Sequence, residues 1–526
     1  MAPLIPQLLE AAVRARSSSP AIVSPSRHGP GTAWSYERLA EASDRLAASL
    51  LNMGIGPGMR VAMMAPPSPR LFATLFALFR IGAVAVMVDP GMGLKGLRQC
   101  LDEADCQAFI GSPKAIVARW ILGLCAGARI VAHLGEGWLP GCRRLHEATS
   151  GGTAIHAGGA GDMAAILYTS GSTGPAKGAV YSAGNLAAQV AALGSMLDIQ
   201  PGETDLSTFP LFGLYAPVLG MTAVIPLMDF TRPATADADM LLDLVARHRV
   251  DNLFASPAVL TRLVRRAETR GGLDRLKRLV SAGAPVPWTL VRRARPHLNA
   301  AARLHTPYGM TEALPVACPS DREILGPELE ITRGGGGICL GKPAPGTRIL
   351  ILPATEEPMA HLPDPLPPGA HGEIAVAGPQ VTRSYWNRPA ANARHKVTTA
   401  QGELIHRTGD MGYLDARGTL WYLGRQAQMV RVQGRNIPAD ATEAMFLDIP
   451  GVARAALVQA GTDRAALVIE PMPDAPADLT AQARLRADRA GLPIERALIN
   501  TRFPVDRRHN SKIDREALGN WAKGKL

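Results

Sequence analysis

Short apolar runs alternate with longer helical patterns through most of this chain, and that alternation restricts the fold more than any other feature. The run Arg60–Met64 precedes an expected helix over 66–79, and a second run occupies 83–88. Further runs at 108–110, 128–131, 250–255 and 279–281 extend the series, the last two each following an arginine-rich helical segment. Strands separated by helical patterns of this kind build βαβ units, whose parallel sheets carry helices on both faces. An α/β fold with stacked βαβ sheets is therefore expected. From about residue 374 the texture changes to short β segments at 374–377, 413–415 and 419–423. The C-terminal part then reads β–α–β–β–α, with strands at 455–458 and 465–469, and predicts a small α+β domain.

A chain of 526 residues is long enough for more than one domain. Its 47% hydrophobic and 19% charged residues describe a globular protein with ample core material. The net charge of +11 invites a nucleic-acid reading, but the basic residues are dispersed and form no block, so no nucleic-acid partner is expected. Cys100, Cys106, Cys125, Cys142, Cys318 and Cys339 show neither metal-ligand spacing nor a C-x-x-C pair. They read as reduced, mostly buried thiols of a cytoplasmic protein. Residues 1–16 pattern as an amphipathic helix rather than a signal peptide, with Leu4, Leu8, Leu9, Ala12 and Val13 on one face. The longest apolar region, 71–88, is broken by Arg80 and Gly82, so no transmembrane segment is expected.

One loop carries the strongest chemical signal. Directly after the apolar run 163–167 comes Tyr168-Thr169-Ser170-Gly171-Ser172-Thr173-Gly174-Pro175-Ala176-Lys177-Gly178. Bare backbone N–H groups, hydroxyls and one ammonium in such a turn suit a polyphosphate. It is not a Walker loop, because Lys177 follows Gly174 by three and is itself followed by glycine. A flexible surface turn is the plain alternative. Three other segments are candidates beside it. Ser281-Ala282-Gly283-Ala284-Pro285 follows an apolar strand, where ligands of open α/β sheets gather. Thr306-Pro307-Tyr308-Gly309-Met310-Thr311-Glu312 offers a hydroxyl for a phosphate, an aromatic face for a purine and a carboxylate for Mg²⁺. Thr408-Gly409-Asp410 places a carboxylate at an expected turn, where it suits the two hydroxyls of a ribose.

In this order the segments resemble the adenylate-forming superfamily of acyl-CoA synthetases, adenylation domains and luciferases. The likeness runs from Trp34-Ser35-Tyr36 to Asn510-Ser511-Lys512-Ile513-Asp514-Arg515 and includes Gly424-Arg425. It implies a large N-terminal domain, 1–424, with stacked βαβ sheets and a distorted β-barrel. A hinge at 425–430 and a small mobile α+β domain at 431–526 follow, with the active site between the domains. It also implies ATP and Mg²⁺. Thr169, Ser170, Gly171, Ser172, Thr173, Gly174 and Lys177 would orient the β- and γ-phosphates. Gly283, Ala284, Tyr308 and Gly309 would cradle the adenine, Thr311 would meet the α-phosphate, and Glu312 would hold the metal. Asp410 would take the ribose hydroxyls with Arg425 assisting, and Lys512 would bridge the substrate carboxylate and the α-phosphate. Charge accumulating on the phosphorus oxygens makes an ammonium and Mg²⁺ useful there.

Departures from the superfamily pattern bear on the fate of the acyl adenylate. Ala183 stands where many relatives have histidine before Asn185. The segment usually ending in histidine is Pro210-Leu211-Phe212-Gly213, and the hinge aspartate is replaced by Ala427. Several segments are similar to one branch, the β-lactone synthetases of olefin and β-lactone biosynthesis. They include Val88-Asp89-Pro90-Gly91-Met92-Gly93, Gly220-Met221-Thr222-Ala223-Val224-Ile225-Pro226 and Glu312-Ala313-Leu314-Pro315-Val316. That resemblance implies a hydrophobic β-hydroxy fatty acid as substrate, adenylated and then closed by its own hydroxyl, with partner enzymes of an olefin or β-lactone pathway. The alternative is an acyl-CoA ligase, for which CoA would be a co-substrate and the segment around Gly434 would line the pantetheine path. A non-catalytic nucleotide-binding homologue is the third possibility. The apolar segment 209–221 with Phe254 suits an acyl pocket or ordinary core alike. His305 reads as a packed core histidine.

Overall fold

The computed structural model describes residues 3–26, 29, 31–169, 176–505 and 513–526. The chain divides into two compact units, Met1–Phe254 with Gly309–Pro315 and Gly378–Lys396, and Ala255–Tyr308 with Val316–Ala377 and Val397–Leu526.

The first unit holds two sheets made largely of parallel strands. In one, the order is Ser384–Tyr385, Lys177–Ser182, Met163–Thr169, Val84–Val88, Arg60–Met64, Ala108–Gly111, Ile130–His133, Arg143–Arg144. Its central pairings are parallel, and the two at the Lys177–Ser182 edge are antiparallel. The second sheet sets Asn252–Phe254, Thr204–Ser207, Thr222–Val224 and Pro20–Ser24 in parallel, with Thr32–Ser35 antiparallel at its edge. Continuous apolar runs form these strands because both faces are covered. The expected helix over 66–79 is Pro69–Arg80. Ser68 caps it by accepting from the Leu71 N–H, and proline occupies its first turn, where a missing N–H costs nothing.

The second unit contains the β-rich region as an antiparallel sheet, in the order Ile338–Gly341, Leu420–Arg425, Leu404–Leu414, Gly372–Ala377, Arg348–Leu352. A parallel pair, Arg278–Val280 and Arg303–His305, also belongs to this unit. Near the C-terminus, Val452–Gln459, Ala465–Pro471 and Arg496–Ile499 form a three-stranded sheet. Period-two alternation divides its faces. Leu457, Leu467 and Ile469 pack with Leu479, Ala483 and Ala487 of the helix Leu479–Arg489. Ala456, Val458, Ala466 and Val468 pack with Leu518 and Ala522 of the helix Arg515–Lys523. The third strand is not apparent in the sequence because Arg-Ala-Leu-Ile is too short to show a period. Among the described residues no helix is long and apolar enough to cross a membrane, and all six cysteines are free.

Candidate active site

In the first unit the strands on either side of the glycine-rich segment pair antiparallel, Leu167 with Ala179, Tyr168 with Gly178 and Thr169 with Lys177. Ser170, Gly171, Ser172, Thr173 and Gly174 lie outside the described residues, as does Lys512. The second of these strands leads into the helix Ala183–Met196, where Ser182 and Asn185 form a reciprocal cap. Buried Asn185 also donates to the Pro379 and Val381 carbonyls at 2.7 and 3.0 Å, tying the helix to segment 378–396.

That segment assembles a cluster around Glu312. The Tyr385 hydroxyl donates to Glu312 Oε1 at 2.5 Å, and Thr382 donates to the Glu312 carbonyl through its N–H at 2.8 Å and its hydroxyl at 3.2 Å. Lys177 Nζ lies 5.1 Å from the Tyr385 ring centroid and 3.3 Å from His395 Nε2. Lys396 Nζ lies 5.7 Å from the same ring and donates to the Thr382 carbonyl. Burial pushes the Lys396 ammonium down to about 7, against the pull of the Glu312 carboxylate. Tyr181 donates to the Thr311 carbonyl, which fixes the turn between Tyr308–Met310 and Ala313–Ala317. Glu312, Thr311 and Lys177 are thus brought together in one unit. Thr382, Tyr385 and Lys396 join them; no short motif marks these residues, because their place in the cluster depends on pairing of Ser384–Tyr385 with Lys177–Ser182.

In the second unit the remaining candidates form another cluster. Thr408-Gly409-Asp410 is not a turn; it is a bulge inside the long strand Leu404–Leu414. Register passes from Glu373↔Met411 to Ala375↔Arg407 across it. Gly409 has φ +72°, a conformation that side-chain-bearing residues rarely adopt, and its N–H donates to Glu373 Oε1 at 3.0 Å. The bulge re-aims Asp410, which is 2% exposed. Its Oδ2 accepts from the Tyr308 hydroxyl at 2.6 Å, and its Oδ1 forms an ion pair with the guanidinium of its cross-strand neighbour Arg425, 2.8 Å from Nε. Burial and the adjacent carboxylate push the Tyr308 phenol far above its ordinary range. The Tyr422 ring centroid lies 6.2 Å from that of Tyr308, supplying a second aromatic face that the motifs do not contain.

Gly283 and Ala284 follow the carboxyl end of Arg278–Val280, and Tyr308 follows that of its parallel neighbour Arg303–His305. Gly283 has φ +95° and is exposed, leaving its backbone open to a ligand. Gly309 has no room for a side chain, since a Cβ would sit 2.8 Å from Leu314 Cδ1. His305 is largely buried, and that burial holds its imidazole down near 4, so it is neutral at pH 7. The cluster of the first unit sets cations beside a carboxylate, and the cluster of the second unit sets aromatic faces beside another. Glu312 as a single carboxylate fits Mg²⁺, which commonly takes one or two carboxylates together with substrate phosphates.

A family model described as AMP-binding enzyme matches residues 9–386. An olefin beta-lactone synthetase of Stenotrophomonas maltophilia (strain K279a) is 42% identical to this chain, over 98% of it and 97% of the relative. One from Xanthomonas campestris pv. campestris is 41% identical over 93% and 90% respectively. Among solved structures, the amide bond synthetase McbA from Marinactinospora thermotolerans superposes with TM-score 0.82 at 22% identity, covering 98% of this chain and 99% of that one. This last likeness concerns the fold.

Proposed function

We infer the function of this chain from the premise that it belongs to the AMP-binding enzyme family: it activates a β-hydroxy carboxylic acid with ATP and closes the acyl adenylate to a β-lactone. The observation that carries this reading is the 42% identity, over nearly the full chain, to a protein named for that product. ATP use follows from the family. The rest is proposal: a long apolar chain on the acid, Mg²⁺ as the metal, a cytoplasmic location, and partner enzymes that supply the hydroxy acid and consume the lactone.

The proposed roles follow the family resemblance, and the two clusters support them where their residues are described. Tyr308 and Tyr422 flank the adenine, with the Gly283–Ala284 backbone beside it, and Asp410 holds the ribose hydroxyls while Arg425 orients its carboxylate. Lys177 and the loop residues 169–174 take the β- and γ-phosphates, and Thr311 takes the α-phosphate. Glu312, oriented by Tyr385 and Thr382, holds Mg²⁺. The metal when bound offsets charge on the phosphate oxygens. The substrate carboxylate attacks the α-phosphorus, pyrophosphate leaves, and Lys512 bridges the reacting oxygens. The substrate's own hydroxyl then attacks the acyl carbonyl and AMP leaves. No thiol enters, so Ala427 in the turn Gln426–Gln428 is compatible with the second step. The boundaries 1–424, 425–430 and 431–526 are retained as the proposed body, hinge and mobile domain.

The test incubates the full chain with Mg·ATP and a long-chain β-hydroxy acid, with and without CoA, and identifies products by mass spectrometry. Lactone without CoA is the expected result. A thioester formed only with CoA would replace this reading by a ligase, and no pyrophosphate release would make the chain a non-catalytic homologue.

A further inference from the structure

A helix laid on a parallel sheet ordinarily turns an apolar stripe inward and a polar one to water. The helix Pro113–Leu122 of the first unit departs from that rule. Its Ala115 and Ile116 pack inward with Phe109 and Val86, yet Val117, Trp120 and Ile121 are exposed on the outside. Spacings of three and four residues put Val117 beside both Trp120 and Ile121, and exposed Lys114 stands one turn before Val117 on the same face. Trp138 joins them from the loop that follows Ile130–His133. One end of that loop runs against the start of the helix, since a Cβ on Gly135 would collide with the Pro113 ring. At its other end burial raises the pKa of the Cys142 thiol and the nearby Arg119 guanidinium opposes it, so this end also lies against the helix.

Trp138 is 81% exposed and Ile121 76%, the two highest values for large apolar side chains among the described residues. Four of the eleven such exposed side chains fall within 117–138, so they are concentrated rather than scattered. Single exposed apolar residues are ordinary, whereas a concentrated set marks an interaction surface. Two indoles and two β-branched side chains held in water bring the fold no stability.

The charge around these residues selects the partner. Residues 113–146 contain Lys114, Arg119, Arg129, Arg143 and Arg144 against a single acid, Glu136. Glu136 is already engaged, by Arg144 and by Arg70 at 3.6 Å. Lys114, Arg129 and Arg143 are exposed. Arg143–Arg144 is the edge strand beside Ile130–His133, and Arg129 directly precedes the latter. Apolar side chains accompanied by cations fit an anionic lipid surface. The cations meet headgroup phosphates, the indoles settle at headgroup level, and the aliphatic tips reach the acyl boundary. A second copy of the chain fits poorly, because a two-fold contact would bring Lys114, Arg129 and Arg143 of both copies together.

We propose that the outer face of the helix Pro113–Leu122 and the loop bearing Trp138 dock this protein on an anionic membrane surface. The helix has ten residues and lies on its sheet, so it presses its outer face into the interface and does not cross. None of the residues assigned to nucleotide or acid belongs to this surface, and the contact stands independently of the reaction proposed above. On the β-lactone reading, the docked enzyme sits where the proposed long-chain acid and its lactone partition.

The full chain is sedimented with vesicles of phosphatidylcholine alone and of phosphatidylcholine mixed with phosphatidylglycerol, without ATP or acid. The parent is expected to bind the mixed vesicles, to bind the neutral ones far less, and to release as salt rises. Trp138→Ser and Ile121→Ser should each weaken binding about tenfold or more, the effect of burying one large apolar side chain. Lys114→Gln and Arg143→Gln should each weaken it roughly fivefold, the effect of one cation near such a surface. All four positions are exposed, so urea unfolding midpoints should match the parent. Arg247→Gln, which removes an exposed cation outside the patch, should bind as the parent does. Absence of sedimentation with the mixed vesicles overturns the proposal. So does binding that Trp138→Ser and Ile121→Ser leave at the parent value, since net positive charge alone would then account for it. A patch that joins copies of the chain instead would give a larger mass in sedimentation velocity without lipid, lost in Ile121→Ser, and would equally overturn it. Because no substrate is present, failure of the β-lactone reading leaves the result untouched.

Discussion

Tyr385→Phe isolates one bond in the Glu312 cluster. The substitution removes the hydroxyl that donates to Glu312 Oε1 at 2.5 Å and leaves the ring on which Lys177 and Lys396 rest. A hydrogen bond to a charged acceptor contributes about 1.5–3 kcal/mol, and Tyr385 is only 4% exposed, so water replaces the donor poorly. At 1.4 kcal/mol per factor of ten, kcat/KM for adenylation should fall roughly 10- to 150-fold. Tyr385→Ala removes the ring as well, and the cavity adds about 3–5 kcal/mol of destabilisation. Pyrophosphate release under saturating hydroxy acid and varied ATP reads the first effect, and urea unfolding reads the second. The phenylalanine variant should unfold close to the parent midpoint, the alanine variant well below it. Parent kcat/KM in Tyr385→Phe would show that orientation of Glu312 does not depend on this hydroxyl, and the cluster would then be packing rather than catalytic support.

Lys512→Ala should abolish pyrophosphate release while ATP binding by calorimetry stays measurable; release at the parent rate would remove the lysine from the chemistry. Asp205 has a folded pKa of about 7, above its unfolded value near 4. The folded state therefore binds more protons between those values, and stability falls as pH rises from 4 to 7. Glu203, on the same strand face, is held by Asn252, and no charged group on the neighbouring strands faces Asp205. Urea unfolding should show the parent losing stability relative to Asp205→Asn over that window, with parallel curves counting against the assignment. Arg515 holds Asp440 and Glu443 at 2.8 and 2.7 Å in a largely buried group. Breaking such a pair costs about 3–5 kcal/mol. Burial already pushes Glu443 up to about 8, so it can stay protonated at pH 7. Arg515→Met should accordingly lose about 3 kcal/mol, the lower end of that range, and an unchanged unfolding midpoint would refute the pairing.

The α/β architecture was legible because buried parallel strands need continuous apolar runs, and a run such as Arg60–Met64 stands out between helical patterns. Boundaries drifted where caps overrode periodicity: the helix expected from residue 66 begins at Pro69, because Ser68 supplies the cap. Thr408-Gly409-Asp410 looked like a turn because glycine and aspartate are turn formers. Its neighbours on both sides are strand residues, and glycine instead supplies the left-handed residue of a bulge. Glu312, Lys177, Tyr308, Asp410 and Arg425 could be singled out as candidates because their chemistry is written in short segments. Tyr385, Lys396 and Tyr422 were not, since each enters its cluster only through pairing between distant strands.

An enzyme that passes an acyl adenylate to an external thiol must admit that thiol, and doing so exposes the mixed anhydride to water. An enzyme whose substrate carries its own nucleophile faces the opposite demand. The pocket has to fold the chain so that hydroxyl and carbonyl meet, and water must be kept from an intermediate that hydrolyses readily. The features peculiar to this chain answer the second demand. The aromatic wall of Phe209, Phe212 and Phe254 is apolar, and Gly213 lets its helix close on Phe72 and Ile225. Ala427 then has a physical sense: where the nucleophile arrives with the substrate, the turn at Gln426–Gln428 is relieved of the aspartate of relatives that must swing toward a second substrate.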